Sequence, residues 1–137
     1  MIRLASLRRC NAGATAVEFA LLAPIFFMML FGLIEFSRMA WTKQTIGDVA
    51  YATARCMSVS SSCNTSTLQK SYAVKRAAGF GITLTNANVT PATNTTCKGY
   101  ASSNSVTVTV AFHSPAAGLI PGLPTRLSSV ACFPYLT

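Results

Sequence analysis

An uncharged apolar run constrains this chain more than any other feature. Phe19 to Ile34 carries no charged side chain, and Glu18 and Glu35 stand at its two ends. With the neutral residues Ala14 to Val17 included, the segment reaches the roughly 20 residues that a membrane-spanning helix needs. The sequence therefore predicts one transmembrane helix, with a carboxylate at the edge of the bilayer.

The flanking charges predict how this helix is oriented. Basic residues alone precede it (Arg3, Arg8 and Arg9), whereas the charges that follow cancel one another (Glu35, Arg38, Lys43 and Asp48). This asymmetry favours a cytoplasmic N-terminus, with everything after about residue 36 outside. A removed secretory signal peptide and an uncleaved anchor remain as alternatives, although no clear small-x-small cleavage site follows the apolar core.

The helical pattern continues beyond the apolar run. Apolar or small residues recur at steps of three and four from Thr42 onward, which is typical of one stripe of an amphipathic helix. They are Ile46, Val49, Ala50, Thr53 and Met57. We expect the helix to continue to about Cys56, so that its second half lies in water and packs on another part of the protein.

The rest of the chain predicts a small α+β head. Ser66 and Gln69 form a weak capping box for a helix over Leu68–Ala78, which Gly79 can end. Period-two alternation predicts strands at Phe80–Thr85, Val106–Phe112 and Leu127–Tyr135, with Pro134 restricting the last to an edge or an end. The polar stretch Asn86–Ser105 is interpreted as a long connection with room for one short strand.

The connection His113–Pro124 is unusually apolar for a loop. Leu119, Ile120 and Leu123 are either a contact surface for another subunit or fold back onto the sheet. Both interpretations stay open from the sequence.

The cysteines suggest a head that is stabilised by disulfides. Of the five cysteines, Cys10 precedes the membrane segment, and the other four lie on the side that should be oxidising. Of the three possible pairings we favour Cys56 with Cys63 and Cys97 with Cys132. A metal site is disfavoured because the chain has no CxxC pair and only His113 as a further ligand.

Composition argues against catalysis. All three acids lie in the first 48 residues, and the head has a single histidine and no phosphate-binding glycine motif, nucleophile elbow or zinc spacing. We expect no enzymatic activity, no cofactor and no small-molecule substrate. The net charge of +8 would suit an anionic surface or DNA, but no basic strip with interleaved aromatic residues supports a nucleic-acid module.

Two stretches together carry a resemblance to a known family. Gly13-Ala14-Thr15-Ala16-Val17-Glu18-Phe19-Ala20-Leu21-Leu22-Ala23-Pro24 and Leu30-Phe31-Gly32-Leu33-Ile34-Glu35-Phe36-Ser37-Arg38 resemble TadE-like pseudopilins of the tight-adherence (Flp) pilus system. The resemblance covers about the first 55 residues. It implies a bacterial inner-membrane protein with a single span, a periplasmic head and a role in assembling a pilus for adhesion and biofilm formation.

The resemblance also implies specific roles for four residues. Gly13 would be the last residue of a leader that a prepilin peptidase removes, and Ala14 the new N-terminus. Glu18 would be the fifth mature residue, and Phe19 takes the aromatic position after it. The implied division is a leader over 1–13, a transmembrane and stalk helix over 14–57, and a head over 58–137, with other pilins, pseudopilins, pilus assembly proteins and the lipid bilayer as partners.

The chemistry of these residues is consistent with those roles. Glycine gives a protease access to bare backbone. Cleavage frees an ammonium group on Ala14, with which the Glu18 carboxylate of a neighbouring helix can pair, fixing the axial register. The main alternative is an uncleaved single-pass assembly or scaffold protein of a pilus or secretion system, and a basic module that binds DNA or anionic surfaces is a third hypothesis.

Overall fold

The computed structural model describes residues 12–115 and 122–135. It contains helix α1 (Ala12–Val59), helix α2 (Ser66–Ala78), and strands β1 (Val89–Cys97), β2 (Tyr100–Ala111) and β3 (Arg126–Pro134). The contacts divide the chain into two units after Ser37. We call the described residues up to Ser37 the apolar segment and those from Arg38 onward the globular unit, and α1 contributes to both.

The apolar segment is helical and exposes its hydrophobic side chains. Phe19 is 70 % exposed and Met29 77 % exposed. Soluble proteins rarely expose so large a continuous hydrophobic surface. Pro24 lies inside the helix, where it removes one backbone hydrogen-bond donor. Among the described residues, α1 is the one helix long and apolar enough to cross a membrane, and its most hydrophobic stretch is not buried by the protein.

Helix α1 supplies one wall of the core of the globular unit. Ile46, Val49, Ala50 and Thr53 have no exposed surface, and Met57 packs against the same core. The buried hydroxyl of Thr53 donates to the Val49 carbonyl at 2.7 Å, so a polar side chain is accommodated within the apolar stripe. The predicted stripe is confirmed, and the helix ends three residues beyond the predicted Cys56, at Val59.

The sheet is an antiparallel meander in the order β1-β2-β3. Val106 and Val108 of β2 are fully buried while Thr107 and Thr109 alternate with them, as the period-two pattern predicts. Side chains from α2, the two edge strands and two intervening segments complete the core: Ala73, Ala77, Leu84, Val89, Phe112 and Leu127. The predicted α+β class is confirmed, and β3 is an edge strand with Pro134 as its last residue.

The predicted strand Phe80–Thr85 is wrong. The backbone there completes the end of α2: the Phe80 and Ile82 amides both donate to the Ala77 carbonyl at 3.0 Å. Gly81 has φ +75°, a conformation that ends the helix and turns the chain. Leu84 is nevertheless buried, so its apolar character reflects packing on the core and not membership of a sheet.

The interpretation of Asn86–Ser105 as a long connection with room for one short strand is right about a further strand but wrong about its length and about the connection. It contains all nine residues of β1 and the start of β2. Lys98 and Gly99, with φ values of 50° and 87°, form the two-residue turn between the strands; positive φ at both positions is the geometry of a type I′ hairpin. This edge strand is rich in threonine and asparagine, so it lacks the alternation of hydrophobic residues by which a strand is recognised.

Two smaller predictions meet different outcomes. The cap of α2 is Thr65 and not Ser66, because the Thr65 side chain accepts the Leu68 amide. In the apolar loop, Leu123 packs against the core, which is the fold-back interpretation. Leu119 and Ile120 lie outside the described residues.

Candidate processing site and disulfide framework

The residues predicted for processing lie in the first turns of the described helix. Gly13, Ala14, Glu18 and Phe19 are all exposed. Ala14 and Glu18 are four residues apart, so they lie on one face of α1 about one helical turn from each other. A side chain added at Gly13 would meet nothing within 4 Å.

This open space bears on why a glycine stands at position 13. A glycine inside a helix costs about 1 kcal/mol relative to alanine, and here neither packing nor positive φ requires it. The exposed Glu18 likewise has no part in the core. The described residues therefore give no packing reason for a glycine at position 13 or a glutamate at position 18.

The first disulfide joins the end of α1 to the start of the next segment. Cys56 and Cys63 are bonded across a seven-residue separation, with their Cα atoms 5.7 Å apart. The Gln69 side-chain amide donates to the Cys63 carbonyl at 2.9 Å. This contact links the disulfide loop to α2, and the bond ties the same loop to the end of the long helix.

The second disulfide joins the two edge strands. Cys97 of β1 and Cys132 of β3 have Cα atoms 5.9 Å apart, although β2 lies between these strands. Strands separated by a third are about 9.5 Å apart in a flat sheet. The hairpin end is therefore bent toward β3, at the register shifts in β1 and at the left-handed residues Asn94 and Ser102.

Both bonds follow the pairing that the sequence favours. The Cys56–Cys63 bond could be predicted because the two cysteines are only seven residues apart. The Cys97–Cys132 bond follows from a bend of the sheet that no residue pattern announces.

A buried asparagine holds this bend, and the sequence interpretation overlooked it. Asn104 has no exposed surface. Its side-chain oxygen accepts a hydrogen bond from the backbone N–H of Asn94 in β1 at 3.2 Å. Its side-chain nitrogen donates to the Ser58 hydroxyl of α1 at 2.8 Å. The available signal was its spacing, because Asn104 shares the inward register of Val106 and Val108.

The charges of the globular unit are one-sided. Asp48 is its only acidic residue in the sequence, and the Gln44 side chain lies 3.4 Å from its carboxylate. The cations are spread over the helices, the hairpin turn and β3: Arg38, Lys43, Arg55, Lys70, Lys75, Arg76, Lys98 and Arg126. No group of three or more potential ligands that could hold a metal ion occurs within residues 12–115 and 122–135.

Comparison with known proteins supports the resemblance. The model of the TadE-like protein family matches residues 13–55, which is most of α1 and none of the sheet. The predicted resemblance is confirmed for that stretch. The match suggests a role in the tight-adherence pilus system among other pilus proteins, and the TadE-like family itself is a family of structural pilus components. No curated protein and no solved structure matches the chain significantly.

Proposed function

We propose that this chain is a minor pseudopilin that acts in assembly of a tight-adherence pilus and is processed after Gly13. One observation carries the proposal: the family match begins at Gly13, and Glu18 lies about one turn from Ala14 on an exposed face of an apolar helix. The division then follows as a leader over 1–13, a transmembrane and stalk helix over 14–57, and a head over 58–137.

The proposed location is the bacterial inner membrane with the head in the periplasm. The arginines ahead of the helix favour retention of the N-terminus in the cytoplasm. Two disulfides in the globular unit suit an oxidising compartment. The prepilin peptidase would meet Gly13 at the cytoplasmic edge of the bilayer.

Cleavage at Gly13 would create the group with which Glu18 acts. Hydrolysis of the Gly13–Ala14 peptide bond leaves an ammonium group on Ala14. A Glu18 carboxylate of a neighbouring helix, in a pilus or an assembly complex, can pair with this amine at the membrane boundary. An unpaired charge in this environment is costly, so the pair favours one axial register over its neighbours.

The N-terminus of the membrane-extracted protein tests the proposal. We expect a start at Ala14 in cells with the prepilin peptidase and at Met1 in cells without it, read by intact mass and N-terminal sequencing. Gly13→Val should block cleavage. Gly32→Val is the matched control, because Gly32 also lies in α1 with nothing within 4 Å of an added side chain, and it should be cut normally.

Other starts contradict the proposal in distinct ways. A Met1 start in the presence of the peptidase would identify an uncleaved anchor, and a start beyond Glu35 a secreted protein.

Glu18 should matter after cleavage and not during it. We expect Glu18→Gln to be processed like the parent but to be lost from pilus complexes recovered by mild detergent extraction. Glu18→Asp keeps the charge and should retain association. Equal recovery of the Gln variant would rule out the proposed ion pair.

A further inference from the structure

Strand β3 presents one backbone edge to solvent. Among the described residues, only β2 pairs with it. The Phe112 amide donates to the Thr125 carbonyl and the Tyr135 amide to the Ser102 carbonyl, both at 2.8 Å. Because the register between them is continuous and backbone directions alternate, the odd-numbered residues of β3 face β2. The even-numbered residues turn their backbone groups outward.

The outward edge is divided into two halves. In the N-terminal half, the Lys43 ammonium of α1 donates to the Ser128 carbonyl. This outward carbonyl is therefore already hydrogen-bonded to a charged side chain. In the C-terminal half, no hydrogen bond from the described residues reaches the outward amides and carbonyls of Val130 and Cys132. Pro134 ends the strand without an amide donor.

A groove lies against this open half. Its volume is about 610 Å³, and Val130–Pro134 form one wall. Tyr51 of α1 contacts the Phe133 ring edge-on at 6.0 Å, and Tyr51 remains 52 % exposed. The hairpin end supplies the remaining lining residues: Lys98, Tyr100, Ala101 and Ser103. An open strand edge beside aromatic side chains is the arrangement to which extended peptides add as a further strand.

The opposite edge of the sheet differs. Strand β1 is in contact with α2, has two register shifts against β2 and contains Pro91 in its ladder. Shifts and prolines are the features that discourage strand addition. The sheet thus offers one regular, open edge, and it is the C-terminal half of β3.

Charge selects the occupant of this edge. Lys98 lines the groove, and Asp48 is the only acid of the globular unit. A second copy would bring its own cations to the same place, where like charges repel. A segment rich in carboxylates would instead meet Lys98, to which no carboxylate of residues 12–115 and 122–135 is paired.

We propose that Val130–Pro134 is a docking edge for an extended, acidic segment of a different polypeptide, which adds to the sheet beside β3. Alternate side chains of that segment would meet Tyr51 and Phe133 on one side. The others would face Cys132 and Lys98, where glutamate or aspartate is preferred. The inference goes beyond processing at Gly13 and holds whether or not the leader is removed.

Binding of a designed probe tests the docking edge. The full chain in lipid nanodiscs is titrated against a fluorescein-labelled peptide of alternating glutamate and valine, with binding read by fluorescence anisotropy at low salt. A peptide of alternating lysine and valine is the matched probe. We expect saturable binding of the glutamate peptide, at least tenfold tighter than that of the lysine peptide.

Two variants separate the backbone edge from the charge. Val130→Pro removes an outward amide without touching the ladder to β2 and should weaken binding of the glutamate peptide at least tenfold, whereas Val130→Thr keeps the amide and should bind normally. Lys98→Glu should reverse the preference between the two peptides. Circular dichroism and the urea midpoint establish that each variant is folded.

Three results would overturn the proposal. The first is equal affinity for the two peptides, and the second is binding that a folded Val130→Pro variant leaves unchanged. The third is self-association of the protein that Val130→Pro abolishes without any peptide binding, which would make a second copy the occupant.

Discussion

The apolar segment and the globular unit use hydrophobic residues in opposite ways. In the apolar segment phenylalanines, leucines and methionines are exposed along one helix, and Gly13 and Glu18 are exposed and take no part in the core. In the globular unit smaller residues, mainly valine and alanine, are buried among three strands and two helices. The first region is long and apolar enough to cross a membrane, whereas the second is stabilised by contacts among its own residues.

Removal of the second disulfide should have the largest effect on the stability of the globular unit. In the chain-entropy account, closing the 35-residue separation of Cys97–Cys132 stabilises by about 3.8 kcal/mol, against about 2.4 kcal/mol for the seven-residue Cys56–Cys63. We expect the Cys97→Ser/Cys132→Ser pair to lower the free energy of unfolding about one and a half times as much as Cys56→Ser/Cys63→Ser. The background is Cys10→Ser, to avoid a free thiol.

Urea unfolding in detergent, followed by pulse proteolysis, measures this loss. The helical circular dichroism of the apolar segment should survive it. If this helical signal were lost together with the sheet, the apolar segment and the globular unit would not be stable independently of each other.

A core truncation compares the two regions directly. Val106→Ala removes two methyl groups from a fully buried site and should cost about 2–3 kcal/mol through lost burial and the remaining cavity. Leu21→Ala is the control, since Leu21 is 69 % exposed in the apolar segment. It should leave the urea midpoint of the globular unit unchanged, and a comparable shift would contradict the contrast.

The buried asparagine should give a smaller effect. Asn104→Ala leaves the Asn94 amide and the Ser58 hydroxyl without their partner, which we expect to cost about 1–3 kcal/mol. Asn86→Ala, at an exposed position, should be nearly neutral. Hydrogen exchange of the Asn94 amide gives a local measurement, because its protection should fall in the first variant alone.

The smallest expected effect concerns the cap of α2. Thr65→Ala removes the side-chain acceptor for the Leu68 amide and should cost about 1 kcal/mol. Ser66→Ala should change stability by a few tenths of a kcal/mol or less, since Ser66 lies inside the helix. The reverse order of urea midpoints would restore Ser66 as the cap.

The sequence predicted elements whose physical signal is local. A charge-free run identifies α1, three- and four-residue spacing identifies its buried stripe, and alternating valines identify β2. The processing residues could be named because a family pattern places Gly13 and Glu18 at fixed positions along the chain. Their use by a peptidase or a neighbouring helix stays a prediction.

What the sequence did not reveal depends on partners that are distant along the chain. Phe80–Thr85 alternates as a strand does, but its backbone is taken by the end of α2. Strand β1 is rich in polar residues because it lies at the edge of the sheet, where partly exposed threonine side chains are tolerated. Asn104 resembles a loop residue until Ser58 and the Asn94 amide are brought beside it.

The contact between Lys43 and the Ser128 carbonyl also bears on aggregation. A nine-residue strand open along its whole edge would be a template on which identical strands could stack without limit. Lys43 interrupts that edge with a charge that any stacking copy would have to displace. For a protein proposed to associate in an ordered way through its apolar helix, this lysine suppresses a second, open-ended route to fibres while leaving room for a short strand.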